Sequence, residues 1–119
     1  MKIYTSYYGN YRNFGDLVPV SISIWPPKSY VGLKYPKVAP TREMLKDYKA
    51  TGNTQDYKVH YWYDVLKQYT PQEIVSDIER MTGNKDCVLL CFEKPSDFCH
   101  RHLLATWLNK NGYDIKELE

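Results

Sequence analysis

The run Cys87-Val-Leu-Leu-Cys-Phe92 constrains this chain more than any other segment. It is almost continuously apolar and is bounded by turn signals. That pattern suits a strand covered on both faces, as in a parallel sheet. The residues on either side predict helices. Thr70-Pro71-Gln72-Glu73 is a helix start, with Thr70 as the cap, Pro71 in the first helical position and Glu73 completing a capping box. This helix is expected to run to about Met81, burying Ile74, Ile78 and Met81, and to stop before Gly83-Asn84. After the apolar run, Ser96 or Asp97 is expected to cap a helix that reaches about Asn109 and closes at Asn111-Gly112. Tyr113 to Leu118 then reads as a last strand, which completes a strand–helix–strand unit.

The first half of the chain adds strands and a long connection. Ile3 to Ser6 reads as a short strand, and Gly9, Asn10, Asn13 and Gly15 mark a loop. Leu17 to Ile24 alternates, with Val18, Val20, Ile22 and Ile24 on one side and Pro19, Ser21 and Ser23 on the other. Pro19 restricts where the strand's N–H side can pair. Trp25-Pro26-Pro27 ends it. Residues 28–40, with Gly32, Pro36 and Pro40, read as an irregular connection of the kind that forms lids or binding loops. Thr41 to about Lys49 is a short helix broken at Gly52-Asn53. From Gln55 to Tyr69, Val59, Trp62, Tyr63 and Leu66 recur at helical spacing and are expected to face the core. Tyr57 and Tyr61 fall on the opposite face. The expected fold is a single α/β domain over residues 1–119, three-layered, with a largely parallel sheet and helices on both faces.

Bulk properties exclude some function classes. With 43% hydrophobic and 25% charged residues, the chain is expected to fold rather than stay disordered. No apolar run is long enough to span a bilayer, and Met1 to Tyr7 lacks the apolar core of a signal peptide, so a cytoplasmic location without membrane contact is expected. Three cysteines argue against a disulfide framework and for reduced thiols. A net charge of +2 is too small to define a nucleic-acid binder. Lys28 to Lys58 nonetheless holds seven Lys or Arg against three acids, with tyrosines interleaved. This region is either a solvated face or a surface for nucleic acid or another phosphate-bearing partner. The sequence does not specify an oligomeric state.

The chemistry gathers where the apolar run ends. Within about a dozen residues stand Cys91, Glu93, Asp97, Cys99, His100, Arg101 and His102. Cys91 closes the strand, at the sheet edge where open α/β folds bind ligands. Cys99 is expected in the first helical turn, where the helix dipole lowers a thiol pKa. Arg101 can grip a carboxylate or phosphate, and His100 and Glu93 can move protons. These residues describe a site for a small anionic or phosphorylated ligand, with Cys99, Glu93 and His100 as catalytic candidates and Arg101 as the binding residue. Cys91 is either a nucleophile or a small buried hydrophobe. Cys87 reads as core. Glu93 could instead pair with Arg101, and Ser96 and Asp97 read as caps. Ser6, Ser23 and Trp25, at the ends of the first two strands, are secondary binding candidates, followed by Tyr7 and Asn10. Tyr57 and Tyr61 could roof the crevice. Cys91, Cys99 and His102 are the residues that could take a metal, Cys99 and His102 being three apart, with His100 a less favourable fourth. The paired spacings of structural zinc are missing, so neither metal nor cofactor is expected. A phosphatase-type loop is disfavoured: residues 92–98 contain no glycine, Pro95 removes a donor, and Arg101 comes late.

From Val88 to Leu108 the chain resembles the signature of the family called domain of unknown function 488. That signature is an apolar strand, Cys-x-Glu, a short turn, Cys-His-Arg and a helix carrying Leu-Ala. Here it is matched by Cys91, Glu93, Cys99, His100, Arg101, Leu104 and Ala105. Val20 to Ile24 followed by Trp25-Pro26-Pro27, and the region from Leu33 to Tyr69, resemble one branch of the same family. The resemblance implies a small α/β domain with a three-layer core and leaves the activity open. The function expected from the residues is an anion- or phosphate-binding pocket at the Cys91–Arg101 turn, in a small enzyme acting on a nucleotide or other phosphorylated substrate. The alternative is a non-catalytic module that binds nucleic acid or protein through the Lys28–Lys58 region.

Overall fold

A computed structural model describes residues 1–94 and 97–118. Among the described residues, five strands, β1 (Ile3–Tyr7), β2 (Val18–Ser21), β3 (Leu33–Lys34), β4 (Cys87–Cys91) and β5 (Lys116–Glu117), form one sheet in the order β3-β2-β4-β1-β5. Every pairing is parallel. The apolar run is the central strand, and all five residues of β4 are buried. β1 pairs along its whole length, from Ile3 opposite Cys87 to Tyr7 opposite Cys91. The N–H groups of Val18 and Ile22 donate to the β4 side, to Asp86 and Leu90. Alternation therefore turns the nitrogen of Pro19 toward β3, and pairing there begins only at Val20 opposite Leu33.

The helices are α1 (Arg42–Thr51), α2 (Thr54–His60), α3 (Pro71–Thr82) and α4 (His100–Lys110). Thr41 and Thr70 cap α1 and α3 by accepting from the backbone N–H of Met44 and Glu73. Gly52 and Gly83 end these helices in the left-handed conformation. Ile74 and Ile78 of α3 and Leu104 and Leu108 of α4 pack with Val20, Cys87 and Leu89 in one core. Val88 and Leu90 point to the other face. A 3-10 helix, Tyr8–Asn13, and the segment from Pro27 to Val31 cover that side. There is thus a helical layer on each face, thick on one and thin on the other. Right-handed crossovers account for the inequality: connections leaving β1 and β2 run toward β3, those leaving β3 and β4 run the opposite way, and each set takes its own face.

Several local expectations are corrected. The loop expected after β1 is the 3-10 helix, held by Asn10 donating to Ser6 Oγ at 3.0 Å. Strand β2 stops at Ser21 rather than Ile24. The irregular connection contains β3 and a 3-10 turn, Pro36–Val38. The largest correction concerns residues 54–69. Tyr57 and Tyr61 are buried, whereas Val59, Trp62 and Tyr63 are 44%, 41% and 58% exposed. A buried tyrosine is acceptable when its hydroxyl finds a partner. Tyr61 donates to the Val38 carbonyl at 2.7 Å, and Tyr57 packs edge-on against Tyr48 and Phe98. A π-helical turn, Tyr61–Val65, follows α2 and is succeeded by a 3-10 turn, Leu66–Gln68. The change of pitch lets the adjacent Val65 and Leu66 both enter the core. Among the described residues no helix is long and apolar enough to cross a membrane.

Two outcomes follow from these contacts. Tyr61→Phe leaves the buried Val38 carbonyl without its donor and is expected to lower stability by about 1–3 kcal/mol in denaturant unfolding. Asp77 of α3 accepts hydrogen bonds from Tyr35, Arg80 and Lys37, which hold its carboxyl below the ordinary 3.8, at about 2. A depressed carboxylate stabilises the fold fully above its unfolded pKa, and that stability is lost as pH falls from about 3.8 to about 2. Asp77→Asn is expected to flatten the melting temperature across that window, and an unchanged acid slope would count against the assignment.

Candidate active site

β2 and β4 are neighbours whose carboxyl ends feed connections on opposite faces of the sheet. The chain parts between them, and open α/β sheets bind ligands at such a switch point. A cleft of about 100 Å³ lies there. Ser23, Ile24 and Trp25 come from the end of β2, and Cys91, Phe92 and Glu93 from the end of β4. The start of α4 supplies Phe98, Cys99 and His100, and Leu45, Tyr48 and Tyr57 arrive from α1 and α2. The walls are therefore largely aromatic, while sulfur and imidazole stand at one end.

Cys99 is the N-cap of α4, in extended backbone conformation, rather than a residue of its first turn. It takes the place expected for Asp97 or Ser96; Ser96 lies outside the described residues. Cys91 and Cys99 are joined as a disulfide, with Cα atoms 7.5 Å apart. This corrects the expectation of three reduced thiols: the end of β4 and the start of α4 converge across the intervening loop. Cys87 is the free cysteine. It is buried in the core as expected, and burial, with help from Asp86, pushes its thiol up to about 12.

His100 Nε2 lies 2.7 Å from the carbonyl of Ile22. A carbonyl only accepts, so Nε2 carries the proton and Nδ1 is left bare, 3.7 Å from Cys99 Sγ. Burial pushes the imidazole down to about 4, and the nearby Arg101 charge acts in the same direction. His100 is therefore neutral at pH 7. Tyr61 packs edge-on against its ring at 5.8 Å.

Arg101 differs most from expectation. It is 0% exposed and does not line the cleft. Its Nε and Nη2 donate to the two carboxylate oxygens of Glu117 at 3.1 and 2.8 Å. Its Nη1 reaches Cys91 Sγ at 2.9 Å and the Glu93 carbonyl at 2.6 Å. With these donors engaged inside the protein, the guanidinium sits behind Cys91 rather than gripping a ligand. Glu93 meets Arg101 through its backbone carbonyl, and the residue is exposed and lines the cleft. Burial alone would raise the Glu117 carboxyl, but hydrogen bonds from Arg101 and Thr5 hold it below its usual value.

The remaining candidates separate. Ser23 and Trp25 line the cleft, and the Arg42 guanidinium lies 5.4 Å from the Trp25 ring centre. Ser6 is fully buried on the thin side of the sheet, bound by Asn10, away from the cleft. Cys91, Cys99 and His100 bring their donor atoms together, whereas His102 stays outside this group. Helical spacing does not link Cys99 to His102, because Cys99 precedes the helix. Within the basic segment, Lys37 is committed to Glu73 and Asp77. Glu117, Tyr48 and Phe98 were missed; Glu117 follows Arg101 by sixteen residues and carries no motif.

A parallel α/β sheet with a cysteine–histidine centre at its switch point is the class that these features define. The chain belongs to the DUF488-N3a family: the family model described as "Active DUF488-N3 subclade" matches residues 7–112. The resemblance to the domain of unknown function 488 is thereby borne out. No curated protein and no solved structure matches the chain.

Glu117→Gln removes the charge that balances a fully buried guanidinium. It is expected to cost about 3–5 kcal/mol, and Arg101→Met in the same background should recover part of the loss. Equal stability of Glu117→Gln and the parent in urea would show that the pair carries no such role.

Proposed function

We propose that this chain is a small enzyme that holds a planar, phosphorylated substrate, such as a nucleotide, in the cleft between the ends of β2 and β4. The observation that carries this reading is the meeting of aromatic walls with the sulfur–imidazole cluster in one cleft at the switch point. The cleft volume of about 100 Å³ suits a single ring system. Trp25, Tyr48, Phe92 and Phe98 offer faces and edges for stacking, which is tolerant of base identity. Because Arg101 is engaged by Glu117, the phosphate falls to Arg42, beside the exposed ring of Trp25. Glu93, on the cleft wall, is the group available to move a proton. The family model's description as an active subclade agrees with a chemically competent centre.

Titrating the reduced protein with a panel of nucleoside monophosphates, followed by tryptophan fluorescence, tests the reading. Saturable binding is expected, weakened in Trp25→Ala by about 1–3 kcal/mol, the cost of losing one stacking ring. Absence of binding across the panel, or binding indifferent to Trp25→Ala and Arg42→Ala, would overturn it.

A further inference from the structure

Three donor atoms converge at one end of the cleft. The sulfurs of Cys91 and Cys99 and a ring nitrogen of His100 lie within 4.8 Å of one another, all on buried residues. We propose that, with the two sulfurs reduced, these residues bind a divalent transition ion of the zinc class. The proposal deepens the cleft reading and rests on it for the ion's purpose, since the ion forms the reactive end of that cleft. The binding itself rests on the cluster alone.

Three features carry it. His100 is already oriented as a ligand: Nε2–H is spent on the Ile22 carbonyl, so the lone pair of Nδ1 faces Cys99. A backbone carbonyl on the second nitrogen is the usual outer support of a metal-bound histidine. Cys91 has an outer partner as well, the Arg101 Nη1–H at 2.9 Å, a donor suited to a thiolate. The charges close: two thiolates cancel the ion and Glu117 cancels Arg101, so the filled site is neutral and can stay buried.

Three protein ligands leave a fourth position, and these residues also line the cleft. This is the arrangement of a catalytic rather than a structural zinc site. Glu93 lines the same cleft outside the ligand set and, on this proposal, takes a proton from water bound there. Loading begins from the reduced pair. An added phosphine gives two electrons to the disulfide and takes the oxygen of one water to become its oxide, while the two protons of that water convert the sulfurs to two thiols. Each thiol then releases its proton as its sulfur bonds to the ion.

The test uses the full chain, reduced with a phosphine under anaerobic conditions, loaded with zinc and passed through a desalting column. Elemental analysis is expected to find one zinc per chain. Cobalt(II) in place of zinc should give a thiolate-to-cobalt charge-transfer band with intense tetrahedral visible bands. Cys91→Ser, Cys99→Ser and His100→Gln should each weaken chelator-competed affinity at least about tenfold, while Cys87→Ser keeps the full complement. Should a ligand variant fail to fold, alkylation of the parent decides: zinc should protect Cys91 and Cys99 and leave Cys87 labelling unchanged. Substoichiometric zinc, a cobalt spectrum without the thiolate band, or equal alkylation with and without zinc would overturn the proposal. Zinc binding without nucleotide binding would remove the substrate reading and leave the metal site standing, and the reverse result would do the opposite.

Discussion

A positive charge with no exposed surface organises the end of the sheet where β4 meets α4. The Arg101 guanidinium is reachable neither by water nor by a ligand in the cleft, so it must be answered from within. Glu117 answers it with both carboxylate oxygens, and Thr5 holds that carboxylate from the neighbouring strand. One ion pair thereby ties α4, β5 and β1 together. The remaining donor reaches the sulfur of Cys91 and the backbone of Glu93, fixing the exit of the central strand. Cys91 is seated by a residue that does not enter the cleft.

Much of the fold was legible because local signals and burial agreed. The apolar run gave β4, and Thr70-Pro71 with Gly83 bounded α3, since caps act through neighbouring backbone groups that any reader of the chain can see. Residues 54–69 were misread because the decision there is tertiary. By hydrophobicity Val59 and Trp62 outrank the tyrosines, but the Val38 carbonyl satisfies the Tyr61 hydroxyl and turns that ring inward. Strands as short as β3 and β5 carry no periodicity of their own. They exist because β2 and β1 offer them partners.

The site was legible in its members and less so in their roles. Cys91, Glu93, Cys99 and His100 do gather at the end of β4, together with Ser23 and Trp25. Arg101 looked like a ligand-binding group because its partner lies at the far end of the chain. Cys99 is extended rather than part of the first helical turn, so the adjacent His100, the less favourable ligand by helical spacing, is the one that turns onto its sulfur. Ser6 was assigned by strand end alone, and the pleat points it to the other face. The aromatic walls from α1 and α2 have no local signature, since helices far apart in sequence build them.

The two outermost strands, Leu33–Lys34 and Lys116–Glu117, are each only two residues long. An exposed row of unpaired backbone groups is the usual template on which one chain recruits another into a shared sheet, and nature commonly blunts it by keeping edge strands short. Here both margins offer a newcomer little ladder to copy, and the proline in β2 keeps the β3 margin from lengthening inward. The central strands can thus be intensely apolar without making the sheet prone to edge-to-edge stacking. The same brevity that hid these strands from pattern reading limits self-association through the sheet.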